Sequence, residues 1–272
     1  MKGKNWRDCE PEKKQRMAEA RQRRKNRKRR KGGLLKKLKL AVILFVIGYV
    51  GFMAYYTLHK PYTVALDAGH GGVDIGAEGI IQEVELTERT VAELETLLKE
   101  DGRFRIILSR EAGEGVSITE RNAKFQKKHP DVMLSVHGNA NDAKGANGFE
   151  CYPSPPGHEN HEESLAFARM LAEEMGMAGA KLRGTDGVRF GYYDAGGEKV
   201  LVDSTDEEIY DYPTFGMLEN MDCPAVLVEQ CFITNAEDVD AFGDEDGCKK
   251  SAEAYYNAIC RYLESLEETE NT

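Results

Sequence analysis

Residues 40–58, LAVILFVIGYVGFMAYYTL, run for 19 positions without one charged side chain, and this stretch separates what can be built before it from what can be built after it. As a helix it would be about 28 Å long, close to the roughly 30 Å hydrocarbon core of a bilayer. Lys36, Lys37 and Lys39 precede it, His59 and Lys60 follow it, and Tyr49, Tyr55 and Tyr56 lie within it. A buried core helix is the rival reading, and the all-round apolarity together with the tyrosines and the basic flank favours a membrane span over it. A cleaved signal peptide would have a shorter basic region and a small-x-small cleavage site. The expectation is an uncleaved single-pass transmembrane helix over 40–58, acting as a membrane anchor.

Charge is divided on either side of that run. Residues 1–39 carry 18 Lys+Arg and 4 Asp+Glu, a net of +14, while residues 40–272 carry a net of −24. The positive-inside rule places the basic segment 1–39 in the cytoplasm and a domain over 61–268 outside it. Beside a spanning helix, the run RQRRKNRKRRKGG (21–33) serves orientation and attraction to anionic lipid. Nucleic acid is not an expected partner, because the acidic outer part would repel it. Five cysteines, Cys151, Cys223, Cys231, Cys248 and Cys260, would lie outside. With an odd number and no CxxC spacing they are expected to be mostly buried free thiols.

From residue 61 the pattern alternates. Strands are expected at Thr63–Asp67, Phe104–Leu108, Asp131–His137, Gly148–Tyr152 and Pro224–Glu229. Between them lie a helix carrying Leu86, Thr90, Val91, Leu94, Leu97 and Leu98 on one face, a helix over Ile118–Lys128, and amphipathic helices over Ser164–Met175 and Lys249–Glu264. Ser117 and Glu120 form a capping box for the second of these, and His129-Pro130 ends it. The weakly patterned acidic stretch Gly191–Asp211 is either a solvated loop or a gate over a nearby cleft. Strand–helix alternation predicts an α/β sandwich with a mostly parallel sheet.

Three of the apolar strands stop at residues with chemistry. Val64–Ala68 ends at Gly69-His70-Gly71-Gly72, Asp131–Val136 at His137, and PAVLV at Glu229. A strand-terminal histidine is a metal ligand, an acid/base or a polar turn residue, and its spacing alone leaves these open. A glutamate closing a run as apolar as PAVLVEQCF is harder to explain structurally, because an unpartnered buried carboxylate costs several kcal/mol. If the strands are neighbours their ends converge. Two imidazoles and one carboxylate then make a zinc site with a position left for water, and Glu229 suits the base beside it.

These segments, LDAGHGG (66–72), Glu83 before a helix, LSR (108–110), SITERN (117–122), SVHGNAN (135–141) and PAVLVEQCFITNAED (224–238), resemble the zinc-dependent N-acetylmuramoyl-L-alanine amidases. That family cuts peptidoglycan, and its modules fold like zinc exopeptidases. The resemblance implies that His70, Glu83 and His137 bind zinc and that Glu229 is the catalytic glutamate. Glu85 is the rival ligand, but the family's carboxylate stands three residues before the apolar position filled here by Leu86. Arg110 and Arg121 fall on positions expected to be structural. Gly138 stands where a small residue such as Ala is usual, and Gln230-Cys231 replaces the familiar Leu-Gly. The implied activity is hydrolysis of the amide between N-acetylmuramic acid and L-alanine of the stem peptide. The rivals are a metallopeptidase acting within the stem peptide and an inactive wall-binding or partner-binding module. The sequence names no protein activator. His158-Glu159-Asn160-His161 does not have helical zinc-protease spacing and is expected on the surface.

Overall fold

The apolar runs from residue 62 onward pair side by side. In the computed structural model, residues 9–58, 61–143 and 145–270 are described. The chain divides into two units, 1–60 and 61–272. In the first, α1 runs from Cys9 to Leu58. Among the described residues no helix is long and apolar enough to cross a membrane. The side chains of 54–58, the end of the expected span, lie outside the described residues, as do His59 and Lys60.

The second unit is built on a five-stranded sheet. Its strands are β1 (Tyr62–Ala68), β2 (Phe104–Leu108), β3 (Val132–Asn139), β4 (Glu150–Pro153) and β7 (Ala225–Phe232), in the order β2-β1-β3-β7-β4. All neighbours are parallel except β4, which runs antiparallel to β7. The helices are α2 (Glu83–Asp101), α3 (Ile118–Gln126), α4 (His161–Met177), the single turn α5 (Ala236–Asp238) and α6 (Glu245–Glu270). Ser117 and Glu120 form the expected capping box on α3, and Gly102, left-handed at φ 75°, ends α2.

Strand alternation sends two sets of side chains to opposite faces. Val64, Leu66, Val132, Leu134, Val136, Val226 and Val228 belong to the larger core, with residues of α2, α4 and α6. Ala65, Met133 and Leu227 meet Phe125 of α3 together with Phe215, Leu218 and Met221 on the other side. With both faces covered, the central strands are mainly apolar rather than alternating with exposed polar residues, and their few polar side chains, Asp67 and Ser135 among them, are buried. The cysteines at 151, 223, 231, 248 and 260 are free and buried.

The main departure from expectation lies in the acidic stretch before β7. It contains an antiparallel hairpin, β5 (Arg189–Tyr193) and β6 (Lys199–Asp203), with Tyr193 opposite Lys199.

Two buried arginines fix the end of β1. Arg121 Nη1 donates to Asp67 Oδ1 at 2.9 Å and to the Ala68 carbonyl at 2.8 Å, and Nη2 donates to the His70 carbonyl. Arg110 donates from Nε to the Ala68 carbonyl at 3.0 Å and from Nη2 to the Gly69 carbonyl at 3.1 Å. Both arginines therefore have the structural place expected of them. Asp67 is fully buried and also accepts from Ser135 Oγ at 2.7 Å. Removing one partner of such a pair leaves an uncompensated buried charge. Arg121→Met should therefore lower stability by about 3–5 kcal/mol, measured by denaturant unfolding. Substituting the exposed Arg89, which pairs with Glu85 on the same helix surface, should change it by less than about 1 kcal/mol.

Candidate metal centre and its neighbouring carboxylates

The parallel strands deliver their last residues to one edge of the sheet, where α/β proteins place ligands. His70 follows β1 in the left-handed region, at φ 63°. For a residue other than glycine this conformation costs on the order of 1–3 kcal/mol and persists only when the surroundings impose it. Here the Arg110 and Arg121 donors hold the carbonyls of residues 68, 69 and 70. Gly69 is required for a different reason: a Cβ there would lie 2.4 Å from the His137 ring.

His70, Glu83 and His137 come together. His70 Nε2 lies 3.1 Å and His137 Nδ1 2.9 Å from the same oxygen, Glu83 Oε1. Ligand atoms of all three lie within 4.8 Å of one another, so the group can hold a metal ion. The donor set fits zinc: two imidazoles and a carboxylate are a common catalytic combination. Zn–N and Zn–O bonds of about 2.0–2.2 Å in tetrahedral arrangement would place such atoms roughly 3.3–3.5 Å apart. The outer contacts also fit. Asp74 Oδ2 lies 3.0 Å from His70 Nδ1, leaving Nε2 to face inward. Glu83 Oε2 accepts from the Ala77 amide at 2.9 Å, which orients its carboxylate.

Electrostatics follow from this sharing. Burial alone would raise the Glu83 carboxyl, but the hydrogen bonds from His137 and His70 outweigh it and hold Glu83 well below the usual carboxylate range. In return the Glu83 hydrogen bond, opposed by burial and helped by Asp74, raises His70 to about 9. Protons and a cation compete for the same lone pairs here.

Glu229 stands beside the group. It is opposite His137 in the β3–β7 register, and Glu150 is opposite Glu229 in the β4–β7 register. Directly opposed residues share a face, so His137, Glu229 and Glu150 form a row across three strands. Glu229 is 8% exposed. Its Oε1 lies 3.4 Å from Lys199 Nζ, and its Oε2 is buried with no hydrogen-bond partner among the described residues. Burial raises its pKa against the lowering effects of Lys199 and His137. Lys199 comes from the β5–β6 hairpin and lies over the rings of Phe215, at 4.8 Å, and Tyr152, at 5.2 Å. Part of the acidic stretch thus reaches Glu229, a contact that sequence spacing did not show.

Other candidates lie elsewhere. Glu85 is 47% exposed and pairs with Arg89. His161 begins α4 with Nδ1 2.9 Å from the Ser154 carbonyl, and His129 is 80% exposed beside Asp222. Gly138 has a local explanation, because a Cβ there would lie 2.7 Å from Leu86 Cδ2 and 2.9 Å from Ile233 Cγ2. Gln230 is fully buried and donates to the Phe242 carbonyl at 2.6 Å, which ties β7 to the turn before α6.

Comparison with known proteins places this arrangement. The Amidase_3 family, described as N-acetylmuramoyl-L-alanine amidase, matches residues 64–261. A probable N-acetylmuramoyl-L-alanine amidase, AmiB, from Haemophilus influenzae is 25% identical over 243 residues, covering 81% of this chain and 56% of AmiB. The N-acetylmuramoyl-L-alanine amidase LytC of Bacillus subtilis is 29% identical over 201 residues, covering 74% of this chain and 35% of LytC. The chain thus spans about half or less of the length of these two relatives. Among solved structures, the catalytic domain of CwlV, an amidase from Bacillus (Paenibacillus) polymyxa var. colistinus, aligns with a TM-score of 0.60 at 25% identity. The alignment covers 75% of this chain and 98% of that domain. The family match takes in β1, α2, β3 and β7, which carry or immediately precede all four expected site residues, and the chain belongs to the N-acetylmuramoyl-L-alanine amidase family Amidase_3.

Proposed function

We propose that this chain is a zinc-dependent N-acetylmuramoyl-L-alanine amidase that hydrolyses the amide between the lactyl group of N-acetylmuramic acid and L-alanine of the peptidoglycan stem. The observation that carries the reading is the buried Glu229 Oε2, without a hydrogen-bond partner among the described residues, one strand from a His70–Glu83–His137 group able to hold a metal. A buried acceptor left unsatisfied costs about 1–3 kcal/mol. That cost has a purpose if the oxygen accepts a proton during the reaction.

In this reading His70, Glu83 and His137 hold the zinc, which when bound supplies Lewis-acid polarisation of the scissile carbonyl and the attacking water. The chain's own residues do the rest. Asp74 and the Ala77 amide hold the ligands in orientation. Glu229 takes the proton of the attacking water on Oε2 and passes it to the departing amine of L-alanine. Its burial-raised pKa suits both halves of that exchange, because it brings the acid form closer to neutral pH. Lys199 holds the other carboxylate oxygen and so limits rotation of the side chain.

We further propose that residues 40–58 anchor the chain in the cell membrane as a single-pass helix. The basic 1–39 segment would be cytoplasmic and the amidase domain extracytoplasmic. This rests on the 19-residue uncharged run and its basic flank.

Glu229→Gln should lower kcat at least about 100-fold while zinc still binds at one ion per chain, measured by muropeptide hydrolysis and by metal analysis. New N-terminal alanine in the digest identifies the amidase reaction, whereas a cut within the stem would identify a peptidase. Because His70 titrates at about 9, zinc binding at pH 7.5 should release about one proton per chain from that ring. Calorimetry in buffers of different ionisation enthalpy measures this. The release from His70 should disappear as the pH is raised above 9.

A further inference from the structure

Beyond Glu229, the row across the sheet ends in a group that the proton-transfer chemistry does not use. Glu150 is 1% exposed and faces the same side as Glu229, one strand away, about 4.8 Å between backbones. Its carboxylate accepts from Arg183 Nε, from Arg189 Nη1 at 3.0 Å, from Asn139 Nδ2 at 3.2 Å and from Tyr152 Oη at 3.0 Å. One buried negative charge is thus shared by two guanidinium groups beside the catalytic carboxylate, and Arg189 also interacts with the charge of Asp203.

These guanidiniums are held but not used up. Arg183 also donates from Nη1 to the Asn147 carbonyl at 3.2 Å, and its plane lies over the Phe232 ring at 4.8 Å. Each guanidinium has five N–H donors. Among the described residues, the hydrogen bonds of this cluster engage neither Arg183 Nη2 nor Nε and Nη2 of Arg189. The two side chains are 30% and 27% exposed. Asp203 stands opposite Arg189 in the hairpin, but its carboxylate accepts from Thr185 Oγ1 and from the amide and hydroxyl of Thr205. A structural ion pair for Glu150 needs one arginine. The second, Arg189, is held at Nη1 and leaves Nε and Nη2, the pair of parallel N–H donors that recognises a carboxylate. It is also a local exception in a region whose net charge is −24.

We propose that Arg183 and Arg189, held by Glu150, form a carboxylate-binding subsite that selects stem peptides whose residue after L-alanine bears a free carboxylate over those in which it is a carboxamide. The proposal rests on the amidase reading and names its substrate class. The geometry gives the position. From His137 to Glu150 the row crosses two strand spacings, about 10 Å, and an extended peptide covers this distance in about three residues. With its scissile carbonyl at the metal group, a stem peptide laid along the row has its second residue about 7 Å along it, from where the side chain or carboxylate of that residue extends toward the guanidiniums.

The test uses the full zinc-loaded chain and two soluble N-acetylmuramoyl peptides that differ only in that carboxylate or carboxamide. The wild type should cleave the free acid with kcat/KM roughly 10-fold or more above the amide, the range of a charge-assisted pair against a neutral one. Arg189→Gln should bring the ratio close to one, chiefly by raising KM for the acid. Arg189→Lys, which keeps the charge but loses the planar fork, should give an intermediate ratio. The wild-type ratio needs no variant and stands even if Arg189→Gln folds poorly. Equal cleavage of both peptides, or preference for the amide, overturns the subsite and leaves the amidase reading intact. Cleavage of neither peptide overturns both.

Discussion

Oε1 of Glu83 is approached by His70 Nε2, by His137 Nδ1 and by the amide of Gly138, three groups from two different strands. This contact can form only because β1 and β3 are adjacent and parallel, so that the residues following their apolar runs emerge side by side. It also needs α2 to begin at Glu83, over the edge of the sheet rather than along its face. Much of the nearby sequence serves that meeting. Arg110 and Arg121 hold the carbonyls that turn His70 inward, and Gly69 leaves room for the His137 ring. Gly76 is constrained by the same group, since a Cβ there would lie 2.6 Å from both Glu83 Oε2 and the His70 ring. The loop from 71 to 79 is thus shaped by the ligands it passes as well as by its own flexibility.

The parts of this arrangement legible in the sequence are those set by short-range patterns. Apolar runs leading to His70, His137 and Glu229 marked the strands, because a central parallel strand is buried on both faces, although β3 and β7 continue past His137 and Glu229 to Asn139 and Phe232. The capping box at Ser117 and the left-handed cap at Gly102 are likewise local devices. Helix ends were less legible: α4 begins at His161 and α6 at Glu245, each before its apolar periodicity starts, because a polar first turn can still be helical. Lys199, Glu150 and the two arginines were not legible as a group. Their placement depends on β4 returning antiparallel beside β7 and on a hairpin that folds toward them. One signal was present, the glycine pair in Asp194-Ala-Gly-Gly-Glu198 between two short apolar runs, which suits a hairpin with a longer loop. The many acids around it obscured that pattern.

The three carboxylates at this edge differ because their surroundings differ. Glu83 receives hydrogen bonds from two imidazoles, which hold it ionised despite burial. Glu229 has a lysine at the edge of hydrogen-bonding distance on one oxygen and nothing on the other, and burial prevails. Glu150 is satisfied on both oxygens by Arg183, Arg189, Asn139 and Tyr152. A carboxylate driven toward its ionised form suits a permanent ligand, and one driven toward its acid form suits proton transfer. A carboxylate saturated with fixed donors suits neither, because it offers no free lone pair. Its remaining use is to position the groups that hold it. That separation of environments, more than the shared identity of the residue type, is the physical basis on which we propose metal binding, proton transfer and substrate orientation for Glu83, Glu229 and Glu150 in turn.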